Sequence, residues 1–361
     1  MKRFFIVLAV MAVAFSACSS DNGNDDPFRT VEYTYIFNQG NYTEQNGEIS
    51  VYEEDAHTTI NRVFSQVNGY ELASTIMDVT AIKTGLGYLL CANPDKLVPV
   101  AMIGLGALSQ GITNGIDNPR SMAASMQSLC VANAGKDYTV DEYYNYTYTN
   151  GSLSVYDVQT TEFISNVHIG NNVQGVAVDN EQKAYVTHDG GVTMVDLYGM
   201  KIIDTYKDEV YTGAPKQIIY LPQNNRLAIS YPYQGIVLVE PGTFRCLNRF
   251  NGPVDYDGIL YVSNDNELYT ISTEYNSDYT VKSSKVYDVS QRTGDYTVIY
   301  SGHHISGFAV SPFTGHFIVA ESNDFTTNSS ILVLDESGET IDTQAAGIGA
   351  FKFLFCSYIT Q

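Results

Sequence analysis

Two adjacent histidines, His303 and His304, are the residues of this chain whose type most suggests chemistry, because imidazole ligates metals and moves protons near neutral pH. Neighbours on a strand point to opposite faces, so both could hold one metal only from a loop, and no Asp or Glu within four residues completes a local site. That geometry favours a solvent-facing pair, either member of which can still contact a ligand. Tyrosine is the second resource. A phenol offers a flat apolar face with a hydroxyl at its tip, suited to holding a large amphipathic molecule by packing and a few hydrogen bonds. Tyr42, Tyr144, Tyr146, Tyr148, Tyr231, Tyr233, Tyr275, Tyr279 and Phe325 form the aromatic candidate set, joined by Arg120, His303 and His304. Motifs for bond-making chemistry are missing: the sequence has no GxSxG elbow, HExxH, P-loop or dinucleotide fingerprint, and Gly104-Leu105-Gly106 reads as a turn. A calcium-dependent lactonase or lyase assembled from Asp, Asn and His at a central channel would escape local motifs and stays open. Cys91, Cys130, Cys246 and Cys356 lack CxxC spacing and sit in apolar runs, so they read as small buried hydrophobes, with their disulfide state left open.

The elements that must position these side chains form a repeat. An apolar strand, a turn, a second strand ending in a small residue or Asn, a polar loop, a third strand ending near Asp and a fourth strand recur about every 45 to 50 residues, the period of propeller blades. The clearest copy runs Gly175 to Asp179, Lys183 to Thr187, Gly191 to Asp196 and Lys201 to Asp204, with period-two alternation and β-branched content. Six complete copies begin near Ile76, Ser121, Val173, Lys216, Gly258 and Ser306. A seventh, from Glu32 to Gln39, Glu48 to Glu53 and Thr59 to Val67, lacks its inner strand. Phe351-Lys352-Phe353-Leu354-Phe355 at the other terminus can supply it, which predicts an all-β, seven-bladed propeller closed by a C-terminal strand joining the N-terminal blade.

Composition agrees. The 361 residues carry 28 Tyr and 29 Gly, a strand-and-turn signature, and no Trp, which disfavours propellers built on a Trp blade signature. Net charge is −21, so a phosphate-backbone partner is excluded in practice and no nucleic acid is expected.

The N-terminus reads as an address. Lys2 and Arg3 precede an apolar run from Phe4 to Phe15, too short to span a bilayer and sized for a signal-peptide core. Ser16-Ala17-Cys18 resembles the lipobox of bacterial lipoproteins, in which the Cys becomes the acylated first residue, so Cys18 is the expected lipidation site. A plain secretory signal cut near Ala17 is the alternative. The polar, acidic run after Cys18 has nothing to bury and reads as a tether. It also resembles the Ser/Asp-rich export signal of Bacteroidetes surface lipoproteins. The expected organisation is residues 1–17 signal peptide, 18–30 lipidated Cys and tether, and 31–361 propeller.

Ala184-Tyr185-Val186-Thr187 followed by Gly190-Gly191 resembles the YVTN-type repeat, and Ile36 to Asn41, Asn46 to Ser50 and Val67 to Gly69 are similar to the first blade of Bacteroidetes YncE-like propeller lipoproteins. Some members capture cobalamin and pass it to a TonB-dependent transporter. The resemblance implies an outer-membrane, cell-surface lipoprotein that is not an enzyme, holds no resident cofactor or metal, touches the membrane only through its lipid, and captures a corrinoid. Haem or siderophore capture, and binding of a protein or glycan, are the other readings; His303 or His304 could serve as an axial ligand to a corrinoid cobalt or haem iron.

In such a fold the loops joining strands two and three share one face. Here they are 38–47, 92–96, 133–151, 188–191, 231–235, 274–282 and 321–330, and they hold the aromatic candidates. They also carry ten carboxylates against three lysines, a field that repels an anionic siderophore or haem propionates over a Debye length of about 8 Å but not a corrinoid rim of neutral amides.

Overall fold

A computed structural model describes residues 29–360, and the chain there is an all-β propeller of seven blades. The expected signal peptide, Cys18 and most of the expected tether lie outside the described residues. From the channel outward, blade 1 is Ala350–Thr360, Arg29–Asn38, Glu48–Glu53 and Thr58–Ile60. Its inner strand is the C-terminal one, antiparallel to Arg29–Asn38 with Phe353 opposite Ile36 and Phe355 opposite Thr34. The ring therefore closes by sharing one blade between the termini, and each blade keeps only short edges, its inner strand facing the channel and its outer strand facing solvent.

Blade 3 is Pro119–Ala124, Ser128–Asn133, Gly151–Asp157 and Phe163–Gly170, and blade 4 is Val176–Val178, Lys183–His188, Gly191–Asp196 and Lys201–Tyr206. Blade 5 is Ile218–Leu221, Arg226–Tyr231, Gly235–Val239 and Cys246–Asn251; blade 6 is Leu260–Val262, Leu268–Tyr275, Val281–Val289 and Tyr296–Gly302. Blade 7 is Ile305–Val310, Phe317–Glu321, Asn328–Leu334 and Thr340–Ile348. Each inner strand touches the inner strands on both sides.

The core lies between blades. Second and third strands are buried on both faces, as in Ser128–Asn133 and Gly235–Val239, because each blade packs a neighbour on either side. Cys130, Leu153 and Val155 of blade 3 meet Val176, Val186 and Val195 of blade 4, and Tyr185 and Met194 of blade 4 meet Leu227, Ile229 and Val237 of blade 5. Burial pushes the thiols of Cys91 and Cys130 up to about 12; both are free and inert, in keeping with small core hydrophobes. Fourth strands are largely exposed. Gly191 and Gly235 open the third strands of blades 4 and 5 at φ +123° and +145°, where a Cβ would sit 2.0 Å from the carbonyl oxygens of Tyr206 and Phe250.

Two sequence expectations fail locally. Thr59 to Val67 is not one strand: pairing stops at Ile60, and α1 (Val63–Asn68) follows. Its first N–H groups are satisfied from afar, the Glu48 carboxylate accepting from the amides of Phe64 at 3.2 Å and Ser65 at 2.9 Å, while Val63 and Phe64 are buried. The copy beginning near Ile76 is not complete either. Blade 2 has three strands, Thr75–Ala81, Leu86–Ala92 and Lys96–Ala101. The fourth position is taken by an irregular glycine-bearing segment that touches the sheet at two bridges, Val100 with Ala107 and Leu97 with Ile112.

Candidate functional site

The loops between second and third strands do share one face, a crown laced from blade to blade. Asn41 Nδ2 donates to the Phe325 carbonyl at 2.7 Å, Asn93 Nδ2 to that of Tyr42 at 2.8 Å, and Lys136 pairs with Asp95 at 3.0 Å, tying blades 7, 1, 2 and 3. Asn172 links blade 3 to blade 4, accepting from the Tyr148 amide and donating to Asp189, both at 2.8 Å. Further round, the Tyr233 amide donates to the Val254 carbonyl at 2.7 Å and the Thr273 amide to the Asp255 carboxylate at 2.8 Å. Asp255 also accepts from the amides of Asp257 and Gly258, and burial raises its pKa.

The crown is uneven. Over blade 3 the loop is an extra hairpin, Tyr138–Val140 against Tyr146–Tyr148, with Tyr148 opposite Tyr138 and Tyr146 opposite Val140. Period-two alternation puts Tyr138, Tyr146 and Tyr148 on one side of it. Their ring centroids are 5.2 Å apart for Tyr138 and Tyr146 and 5.9 Å for Tyr138 and Tyr148, and the Arg120 guanidinium lies 5.0 Å from the Tyr148 centroid. Arg120 is the unpaired residue of a bulge in the inner strand, where the register jumps from Pro119 to Ser121, and the bulge re-aims it at the mouth of the channel. Its Nε is buried without a hydrogen bond, and among the described residues it makes no ion pair. The result is a ladder of three phenol rings ending on a guanidinium. Tyr138 and Tyr146 each keep more than half their surface exposed, 55% and 56%, so the ladder is a platform rather than core. Blade 4 beside it carries only the short turn between His188 and Gly191.

A second aromatic group stands over blades 5 and 6. Tyr233, Tyr256, Tyr275 and Tyr279 are all exposed, and Lys216 Nζ lies 4.3 Å from the Tyr256 ring centroid. Burial, then the charges of Asp255 and Asp257, raise the phenol pKa of Tyr233, with Tyr256 adding to the effect; Tyr275 responds to burial and the same two carboxylates, which places these residues together. Arg120 and Lys216 are thus each held on a tyrosine face rather than on a carboxylate. By contrast Lys136 is paired with Asp95, and Lys282 with Glu274 at 2.5 Å.

Of the sequence candidates, Tyr42, Tyr144, Tyr146, Tyr233, Tyr275, Tyr279 and Phe325 are exposed on this face, and Arg120 and Tyr148 are half-buried at the channel mouth. Tyr144 occupies the left-handed tip of the hairpin and stands outside the ladder. Tyr231 is a correction: it is 1% exposed, packed 5.6 Å from the Tyr211 ring, because the second strand of blade 5 runs one residue further than expected. It is core, not ligand surface. His303 is exposed, while His304 is half-buried and its pKa is lowered, first by burial and then by the neighbouring His303. Among the described residues no cluster of three or more His, Cys, Asp or Glu could hold a metal ion. The sequence places Tyr138 among the loop aromatics of this face and Lys216 in a blade link near the channel mouth; Tyr256 is the residue it misses, because its pairing with Lys216 spans two blades and has no local signature.

No protein-family model matches the chain, and no curated protein matches it. Solved structures do. A proposed 6-phosphogluconolactonase from Bacteroides fragilis is similar over 93% of this chain and 100% of its own, with 13% identity and a TM-score of 0.61. Apo AztD from Citrobacter koseri is similar over 91% and 99%, with 11% identity and a TM-score of 0.60. A functionally unknown protein from Desulfotomaculum acetoxidans is similar over 90% and 98%, with 15% identity and a TM-score of 0.61. At these identities the likeness shows the propeller fold, which hosts many functions.

Proposed function

We propose that this chain is a surface lipoprotein of the YncE-like kind, anchored through Cys18, whose crown captures a corrinoid such as cobalamin and hands it to a TonB-dependent outer-membrane transporter without making or breaking a bond. The observation that carries the binding half of this reading is the ladder of Tyr138, Tyr146 and Tyr148 ending on Arg120. Three phenol rings packed at 57° and 64° to one another, two of them exposed, offer a large ligand a stepped apolar surface at little entropic cost, since each ring has only two side-chain torsions to fix. A guanidinium without a carboxylate partner then donates to acceptors on the ligand's rim, and the corrin periphery is rich in amide carbonyls. The half-buried imidazole of His304, in the link between blades 6 and 7 and favoured in its neutral form by burial, is the candidate axial nitrogen.

One observation favours a second reading. Arg120 and Lys216 bring two cations without carboxylate partners to an otherwise acidic face, which suits the propionates of haem or an anionic ferric siderophore. Titrating the chain from Asp26 onward with cyanocobalamin, haem and a ferric catecholate, and following visible absorbance, separates the readings. A saturable change with cyanocobalamin supports corrinoid capture. A change with haem or the catecholate alone transfers the site to the second reading, and no change with any of the three leaves a protein or glycan as the partner.

A further inference from the structure

Of the six arginines between residues 62 and 292, all but two have a partner in the structure. Arg62 pairs with Glu71, Arg245 with Glu240 and Arg249 with Asp208, and Arg120 rests on Tyr148. That leaves Arg226 and Arg292, and both line one cleft of about 420 Å³ between blades 5 and 6. In a chain with 40 acidic and 19 basic residues, two cations sharing a cleft with no carboxylate opposite them is an unexpected arrangement.

The cleft lies at the end of the blades opposite the crown. Arg226 opens the second strand of blade 5, Leu238 is next to last in its third strand, and Leu247 and Asn248 begin its fourth. Gln291 and Arg292 sit in the turn between the third and fourth strands of blade 6. Asn224 Nδ2 donates to Gln291 Oε1 at 3.3 Å and Gln223 Nε2 to the Asn264 carbonyl at 3.0 Å, which fixes the two blades against each other. The leucines floor the cleft with apolar surface. Of the carboxylates near these residues in sequence, Glu240 is engaged by Arg245 through Oε1 at 3.0 Å and Oε2 at 3.2 Å, Asp295 accepts from the Thr293 hydroxyl at 2.7 Å, and neither these nor Asp288 lines the cleft. Among the described residues neither Arg226 nor Arg292 makes an ion pair, and neither guanidinium donates a hydrogen bond.

Guanidinium presents a planar fork of N–H donors matched to carboxylate and phosphate oxygens, and two of them in one cleft repel each other until an anion lies between them. We infer that the cleft between blades 5 and 6 is a second binding site, for a small molecule bearing carboxylate or phosphate groups, held by Arg226 and Arg292 and oriented by the amide of Asn248, while Gln291, bonded to Asn224 and to the Asn266 carbonyl, holds the cleft wall in place. The inference does not depend on the crown, because the two sites are on opposite faces and share no residue.

Citrate, pyrophosphate and a neutral disaccharide, titrated into the full chain by calorimetry, test it. Saturable binding of citrate or pyrophosphate, weakened as salt rises, with no binding of the disaccharide, is the expected result; the better of the two anions tells carboxylate from phosphate recognition. Arg226→Gln and Arg292→Gln should each weaken that binding about tenfold, the loss expected for one charge-assisted pair, with the melting temperature unchanged. Absence of saturable binding by either anion, or equal binding by an R226Q/R292Q double variant of unaltered melting temperature, would overturn the inference.

Discussion

Replacing Phe353 by Ala tests the closure of the ring at the residue that closes it. Phe353 lies in the C-terminal inner strand, is 6% exposed, and packs with Ile36 and Tyr52 of blade 1 and Ile318, Ile331 and Val333 of blade 7. A buried phenylalanine removes about 200 Å² from water. At about 25 cal/mol per Å² the transfer term is about 5 kcal/mol, and measured Phe to Ala losses in cores run from about 3 to 5 kcal/mol. With an unfolding entropy of about 2 cal/mol/K per residue, a propeller of this size loses about 0.7 kcal/mol per degree at its midpoint, so a loss of about 4 kcal/mol lowers Tm by about 6 °C. Ile203→Ala is the control, since Ile203 is 51% exposed on the outer strand of blade 4 and its loss should move Tm by less than about 1 °C. Calorimetry of the two variants beside the parent gives the answer. If Phe353→Ala melts with the control, the C-terminal strand is not holding the ring and the reasoning about closure is wrong. Deletion from Phe351 onward, which removes the strand's hydrogen bonds as well, should abolish the cooperative transition.

Three further expectations follow from single residues. Asp208 is buried, and although burial alone would raise its pKa, hydrogen bonds from Arg249, Tyr206 and the amides of Tyr211 and Val210 hold it down to about 2; a carboxylate depressed from its unfolded value near 4 contributes roughly 2 kcal/mol that is present above pH 4 and lost as pH falls toward 2, so Asp208→Asn should flatten the acid limb of the stability curve in urea titrations between those values. Gly235→Ala drives a Cβ onto the Phe250 carbonyl at a φ of +145° and should cost at least 3 kcal/mol by denaturant midpoint, whereas a loss below 1 kcal/mol would show that the strand can shift to accept it. Cys18→Ala should move the protein from the membrane pellet to the soluble fraction, and unchanged pelleting would end the lipoprotein assignment.

Blade phase was legible because each blade repeats one packing problem. In the copy from Gly175 to Asp204 the first three strands are short apolar runs buried on both faces, not the half-buried alternation expected, and it is their recurrence between turn residues at blade spacing that locates every inner strand to within a few residues. The closing strand was legible for the same reason, since a first blade lacking an inner strand needs one from elsewhere. What failed depended on partners distant in sequence. Val63 to Asn68 is apolar enough to read as a strand, but left-handed turns at Arg62 and Gly69 and the Glu48 carboxylate reaching across to the amides of Phe64 and Ser65 hold it as a helix. The outer edge of blade 2 was read as a strand from spacing alone, yet Gly104, Gly106, Gly111 and Gly115 supply no alternating side chains to pack. At the crown, exposure of the loop tyrosines was legible from loop length. The ladder needed the hairpin register that sets Tyr148 opposite Tyr138, and the burial of Tyr231 turned on one extra strand residue.

The central claim is that the crown binds a corrinoid through the ladder, and affinity for cyanocobalamin in the parent and in a Tyr138→Ser, Tyr146→Ser, Tyr148→Ser triple variant measures it most directly. Each ring that packs part of its face on the ligand contributes on the order of 1 kcal/mol or more, so the triple variant should bind at least about a hundredfold more weakly while melting at the parent temperature, because the hairpin lies outside the blades. Binding of cyanocobalamin as tight in the triple variant as in the parent, or no binding in the parent at all, would contradict the account.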